Sequence, residues 1–146
     1  MRHPLPDQTI SAWARLHRAS QSVLSAVESD LKAAGHPPLA WYDVLLELKR
    51  VGKDGLRPRA LQSEILLAQY NLSRLLDRME GEGYVERRPY ANDGRGQIVV
   101  ITLEGRQLIK RMWPAYEAAI GEHFAARLTS EEAARLGRLL GKLSPI

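Results

Sequence analysis

Between Thr9 and Leu31 the apolar residues Ile10, Trp13, Leu16, Val23, Leu24, Val27 and Leu31 return at helical spacing, which predicts one long amphipathic helix. Gly35 and the prolines 37 and 38 stop it. A second helix fits "LAWYDVLLELKR", with Trp41, Val44, Leu45 and Leu48 on one face, and Gly52 and Gly55 then make a loop. A short third helix fits "PRALQSEILL", whose Pro58 is acceptable in a first turn. The fourth is predicted from about Gln69 to Glu82, with Leu72, Leu75, Leu76 and Met79 as its buried stripe and Gly83 as its end.

After Gly83 the period changes from helical to strand-like. Tyr84 to Tyr90 and Gln97 to Leu103 are rich in aromatic and β-branched residues, and "ANDGRG" between them suits a hairpin loop. Thr102 is positioned to cap a fifth helix carrying Leu108, Ile109, Met112, Trp113, Tyr116 and Ile120 on one side, kinked at Pro114. "TSEE" opens the last helix as a capping box of Thr129 and Glu132, with Leu136, Leu139, Leu140 and Leu143 expected inward. The fold class is therefore mainly α with a small β-hairpin wing (α+β). The order of helix, short helix, helix and hairpin is that of a winged helix-turn-helix.

A chain of 146 residues fits one domain. No apolar run approaches the roughly 20 residues of a membrane span, and the first residues lack the apolar core of a secretory signal, so the expected location is cytoplasmic. With no cysteine, disulfides, thiolate metal ligands and thiol nucleophiles are all excluded. The formal net charge is +4, and from Lys49 to Arg106 eleven basic residues face eight acidic ones, so this segment holds three of those four charges. Such a bias suits an acidic partner.

The inward stripe of the fourth helix fixes its outward face. Gln69, Tyr70, Asn71, Ser73 and Arg74 crowd the N-terminal half, and Asp77 and Arg78 follow. Asn and Gln can bond adenine in bidentate fashion and Arg can do so with guanine, so this is a face able to read bases in the major groove of double-stranded DNA. A solvated surface helix has a polar face too; the hairpin shifts the balance. Arg95 stands at its tip, where no core needs it, and the minor groove attracts an inserted arginine. Arg87 and Arg88 at the base of the hairpin, with Arg57 and Arg59, are placed for phosphates. Asp93 is expected to orient an arginine, Arg95 or Arg78, since a carboxylate beside phosphates is repelled.

"SRLLDRMEGEGYVERR", then Asp93-x-Arg95, then "ITLEGR" together resemble the winged core of MarR-type bacterial transcriptional regulators. "LAWYDVLLEL" resembles the second helix of a subgroup with Trp-Tyr-Asp at this place. The resemblance implies a homodimer in which helices over 8–35 and 104–143 interlock. The lobe over 39–103 then reads one half of a pseudo-palindromic operator, all within one domain of residues 1–146. It also implies a repressor released by a small, often aromatic and anionic effector, for which Trp13, His17, Trp41 and Tyr42 are the candidates. Two alternatives are a winged-helix protein-interaction module and an architectural DNA binder of low specificity. Where the family usually has Gly and then a capping Ser or Thr before the fourth helix, this chain has Leu66 and Ala68, so the expected cap is missing.

Nothing points to catalysis: the chain has no Gly-rich phosphate loop, HExxH or GxSxG, and no cofactor is expected. No metal site is expected either, because His3, His17, His36 and His123 show no close ligand spacing.

Overall fold

The computed structural model describes residues 3–64, 71–89 and 96–144. Its helices are α1 (Asp7–Ala33), α2 (Leu39–Val51), α3 (Pro58–Glu64), α4 (Leu72–Gly81), α5 (Leu103–His123) and α6 (Ser130–Gly141). Two strands, β1 (Val85–Pro89) and β2 (Gln97–Ile101), lie between α4 and α5. The chain divides into a lobe, Ala34–Pro114, and a helical unit made of Met1–Ala33 with Ala115–Ile146. Pro114 lies inside α5, which continues past it to His123.

The core of the lobe follows the predicted stripes. Val44, Leu45 and Leu48 of α2, Leu61 of α3, and Leu72, Leu75, Leu76 and Met79 of α4 are all buried, together with Val85, Val99 and Val100 of the hairpin and Leu108, Ile109 and Met112 of α5. Burial of these side chains contributes on the order of 1.5–3 kcal/mol each relative to exposure. Trp113, expected on the same side of α5, stays 40% exposed because it lies over Tyr42 at the edge of this core.

The strands pair antiparallel with Val85 opposite Ile101, Arg87 opposite Val99 and Pro89 opposite Gln97. The segment read as a plain loop after α2 is more ordered than the glycines suggest. A 3₁₀ turn over Gly52–Asp54 delivers Leu56 to the free edge of β2, where it exchanges two backbone hydrogen bonds with Val99, of 3.0 and 2.8 Å. Thr102 caps α5 as expected, its hydroxyl accepting from the Gly105 N–H at 3.0 Å. The same hydroxyl donates to the Gly83 carbonyl at 2.6 Å, tying the start of α5 to the end of α4. Gly83 ends that helix at φ +84°, a conformation that costs a glycine little.

Three sequence expectations are corrected. The fourth helix begins at Leu72 rather than near Gln69, because the Asn71 side chain caps it by accepting from the Arg74 N–H at 3.2 Å. The cap that seemed missing at Leu66 and Ala68 is thus supplied three residues after Ala68. On α6 the capping box forms, with Thr129 N–H donating to Glu132 at 2.9 Å and Glu132 N–H donating to the Thr129 hydroxyl at 3.1 Å. Its leucines do not turn into a core, however: Leu139 and Leu143 are 52% and 70% exposed. Likewise the first half of the α1 stripe lies bare, with Trp13 71% and Ile10 51% exposed, and burial is reached only at Val27 and Leu31. Periodicity identifies an apolar face, not what covers it.

Candidate nucleic-acid interface

On α4 the alternation of buried and exposed positions leaves Ser73, Arg74, Asp77 and Arg78 on the outer face, with Asn71 exposed at its head. Asn71 has a committed acceptor, since its carbonyl oxygen is taken by the cap; its amide N–H₂ is the group left for a base or a phosphate. Ser73 and Arg74 occupy the first turn, where the helix also presents unpaired backbone N–H groups that favour an anion. Arg78 follows one turn on from Arg74. Gln69, Tyr70, Asp93 and Arg95 lie outside the described residues.

The hairpin is held against this helix by Arg87. Its guanidinium donates to Asp77 at 2.7 Å and to the Ser73 carbonyl at 3.3 Å, with Glu80 3.7 Å away, while its backbone N–H donates to Glu80 at 3.0 Å. Four contacts from one residue, on a side chain only 22% exposed, make a clamp between β1 and α4 rather than a phosphate contact. The phosphate role read for Arg87 in the sequence therefore does not fit. Asp77, which faces outward on the helix, is there to receive this arginine. Arg88, on the opposite face of β1, pairs at 3.0 Å with Glu86 two residues back and remains 54% exposed. That pair is a weak surface contact that a phosphate can displace. Arg57, just before α3, and Arg59, in its first turn, are exposed.

The MarR family model matches residues 37–96, the part of the lobe from α2 through β1, ending just before β2. The multiple antibiotic resistance protein MarR of Escherichia coli is 35% identical over 74 residues, 51% of this chain and 51% of that protein. The chain spans about half the length of that curated relative in the match. An uncharacterized HTH-type transcriptional regulator of Bacillus cereus is 29% identical over 139 residues, covering 94% of this chain and 90% of its own. A crystal structure of a mutant E. coli MarR complexed with operator DNA superposes with a TM-score of 0.79 at 26% identity, covering 98% of this chain and 100% of that one. The chain thus matches the MarR family model over residues 37–96 and a solved MarR structure over nearly its whole length. The Bacillus cereus relative is named a transcriptional regulator, and no helix among the described residues is long and apolar enough to cross a membrane.

The four residues read from the sequence as effector candidates separate into different environments. Trp41 packs edge-on against Tyr84, ring centres 5.9 Å apart at 70°. Tyr42 stacks on Trp113, at 6.3 Å and 23°, and the two rings line a groove of about 370 Å³ with Leu46, Ile109, Lys49 and Lys110. Trp13 and His17 are exposed on α1 in the helical unit. Of the four candidates only Tyr42 lines that groove. Lys49 and Lys110, missed in the sequence, give it a cationic rim; each looked like one more charge on a solvated helix face, and only the packing of α2 on α5 sets them together.

Proposed function

We propose that this chain is a homodimeric, sequence-specific DNA-binding transcriptional regulator of the MarR family, a repressor that a small ligand releases from a pseudo-palindromic operator. The observation that carries the reading is the outer face of α4. Asn71, Ser73, Arg74 and Arg78 are exposed on a short helix whose other side is sealed into the core and whose partner hairpin is clamped to it by Arg87. Such a helix can enter the major groove as a rigid reader. Arg74 and Arg78 then address guanine edges, Asn71 and Ser73 the adjoining base or phosphate, and Arg88 the backbone. Gln69 and Tyr70 extend the reading face, and Arg95, oriented by Asp93, reaches into the minor groove from the wing.

Dimerisation is supported by the bare apolar residues of the helical unit. Ile10, Trp13, Leu139, Leu140 and Leu143 are too many large side chains for one monomer to leave wet, and a second copy covers the same patch by symmetry. On this reading the helices over 8–35 and 104–143 pair the protomers, and each lobe over 39–103 reads a half-site, the two about one helical turn or roughly 10 base pairs apart. The protein works where DNA is, in the cytoplasm of a bacterium. An aromatic anion is the ligand class that the Tyr42–Trp113 groove with its two lysines suits best.

Binding of the purified protein to DNA flanking its own gene, against random duplex and at two salt concentrations, tests this. A preference of about a thousandfold or more that weakens with salt is the expected result. Arg74→Ala is expected to cost about 1–3 kcal/mol on the cognate site with relaxed base preference, and Arg95→Ala to weaken binding with the dimer intact. Equal affinity for both duplexes would favour an architectural binder, and no affinity for either a protein-interaction module.

A further inference from the structure

Outside the lobe, two helices of the helical unit bring three metal-ligating side chains together. Asp30 comes from the last turns of α1, and Glu122 and His123 from the end of α5. The His123 Nε2 lies 2.8 Å from the Asp30 Oδ2 and 4.0 Å from the Glu122 Oε2, and all three ligand atoms fall within 4.8 Å of one another. We propose that Asp30, Glu122 and His123 form a binding site for a divalent first-row transition-metal ion such as zinc, which cross-links α1 to the end of α5.

The charges favour it. Among the described residues neither carboxylate has a lysine or arginine ion-pair partner, so two negative groups converge on one imidazole, and a dication offsets what the imidazole alone does not. Donor chemistry narrows the ion: one imidazole nitrogen with two carboxylate oxygens suits zinc and its neighbours, whereas calcium and magnesium prefer oxygen alone. Geometry is within reach. Ligands about 2.0–2.2 Å from a shared ion stand about 3–4 Å apart, so the 2.8 Å pair opens slightly and the Glu122 side chain, 73% exposed, swings inward. His123 and Asp30 are half-buried, at 24% and 40%, which fixes the first two ligands while leaving a route for the ion. Three protein ligands leave positions for water, the pattern of an exchangeable site rather than a closed structural one. Linear spacing hides the cluster because Asp30 and His123 are 93 residues apart.

The test is titration of the metal-free full chain with Zn²⁺ by calorimetry and with Co²⁺ by visible absorption, with melting followed in parallel. One ion per chain, visible d–d bands with Co²⁺ and a higher Tm with Zn²⁺ are expected. His123→Gln keeps an amide donor for Asp30 but removes the imidazole ligand; it and Asp30→Asn should each weaken binding by about tenfold or more with helical content unchanged. Should either fail to fold, Glu122→Gln at its exposed position carries the test, with a several-fold loss expected. His17→Ala and His36→Ala should leave the affinity as it is. Absence of saturable binding would overturn the proposal. So would binding that ignores the three ligand variants, or binding that disappears with His17 or His36, and the Asp30–His123 contact would then be an ion pair alone.

Discussion

In the lobe, Val44, Leu45, Leu48, Leu61 and Met79 are sealed completely from solvent; in the helical unit, Trp13, Leu139 and Leu143 leave half or more of their surface bare. Both regions come from helices of similar amphipathic pattern. They differ in what that pattern meets: the lobe closes α2, α3, α4 and the first turns of α5 on a hairpin, while among the described residues of the helical unit only Val27, Leu31 and Ala119 reach core-like burial among the hydrophobics. A region that completes its own core can hold a surface rigid, whereas one that does not leaves apolar side chains for other protein to cover. On the function proposed above, recognition belongs to the lobe and assembly to the helical unit.

The largest expected effect comes from charging the incomplete side. Leu139→Glu combined with Leu143→Glu is expected to leave the lobe folded, convert the protein to a monomer in sedimentation equilibrium, and weaken operator binding about a hundredfold or more, because two linked half-site contacts become one. A double variant that stays dimeric would break the comparison by showing that these leucines are only exposed. The converse strike falls on the lobe. A methyl group at Gly105 would stand 2.3 Å from the Tyr84 carbonyl oxygen and 2.9 Å from Ile101, both in fixed backbone or core positions. Gly105→Ala should therefore destabilise the lobe by about 1–3 kcal/mol or more in denaturant titration, with the helical content of the rest retained at low denaturant.

Much of this division is visible in the residues alone, and the exceptions share a cause. The stripe Leu72, Leu75, Leu76, Met79, the Gly83 stop, the Thr102 cap and the Thr129–Glu132 box are local rules, satisfied within a few residues, and the structure has all of them. Four features depend on partners distant in sequence or on which residue caps a helix. Asn71 caps the helix that begins at Leu72; Arg87 finds Asp77 ten residues back; Leu56 joins the edge of β2; and Asp30 meets His123 across most of the chain. The inward assignment of the α6 leucines fails for a different reason, since sequence periodicity carries no information on whether a face is covered by the same chain or another. The wing tip and the residues before Asn71 lie outside the described residues, so the parts of the reading that rest on Gln69, Tyr70, Asp93 and Arg95 stay with the sequence.

Smaller effects sharpen the contrast. Arg87→Ala removes the clamp between β1 and α4 at a cost of about 1 kcal/mol once solvent screening at the exposed Asp77 is counted, and it should weaken DNA binding by loosening the hairpin. Arg87→Lys keeps the charge but not the forked geometry, and a lysine variant that behaves as wild type would reduce the clamp to a simple charge contact. The two helix caps offer a matched pair. Asn71→Ala and Thr129→Ala should each cost about 1 kcal/mol of stability, but only the first should also change DNA affinity, since only α4 carries the reading face. Equal losses of DNA affinity from both caps would mean that the two regions are not functionally separate.

The smallest effect expected is a titration, and it belongs to the lobe. Burial pushes the Tyr42 phenol above its ordinary 10.0, and the neighbouring Asp43 carboxylate pushes it the same way. The folded state thus holds the proton more tightly than the unfolded chain does. The stabilisation is complete below pH 10 and lost as the pH rises through the higher folded value, because the unfolded chain then gains from ionising while the folded one does not. Trp113, stacked on this ring, reports the change through its fluorescence. Tyr42→Phe keeps the stacking and removes the proton, so the alkaline loss of stability should shrink in that variant; Asp43→Asn should lower the tyrosine's midpoint by removing one of the two upward pushes, provided the buried amide is accommodated. An alkaline limb unchanged by Tyr42→Phe would place its origin outside the Tyr42–Trp113 groove and leave that groove's chemistry to Lys49 and Lys110.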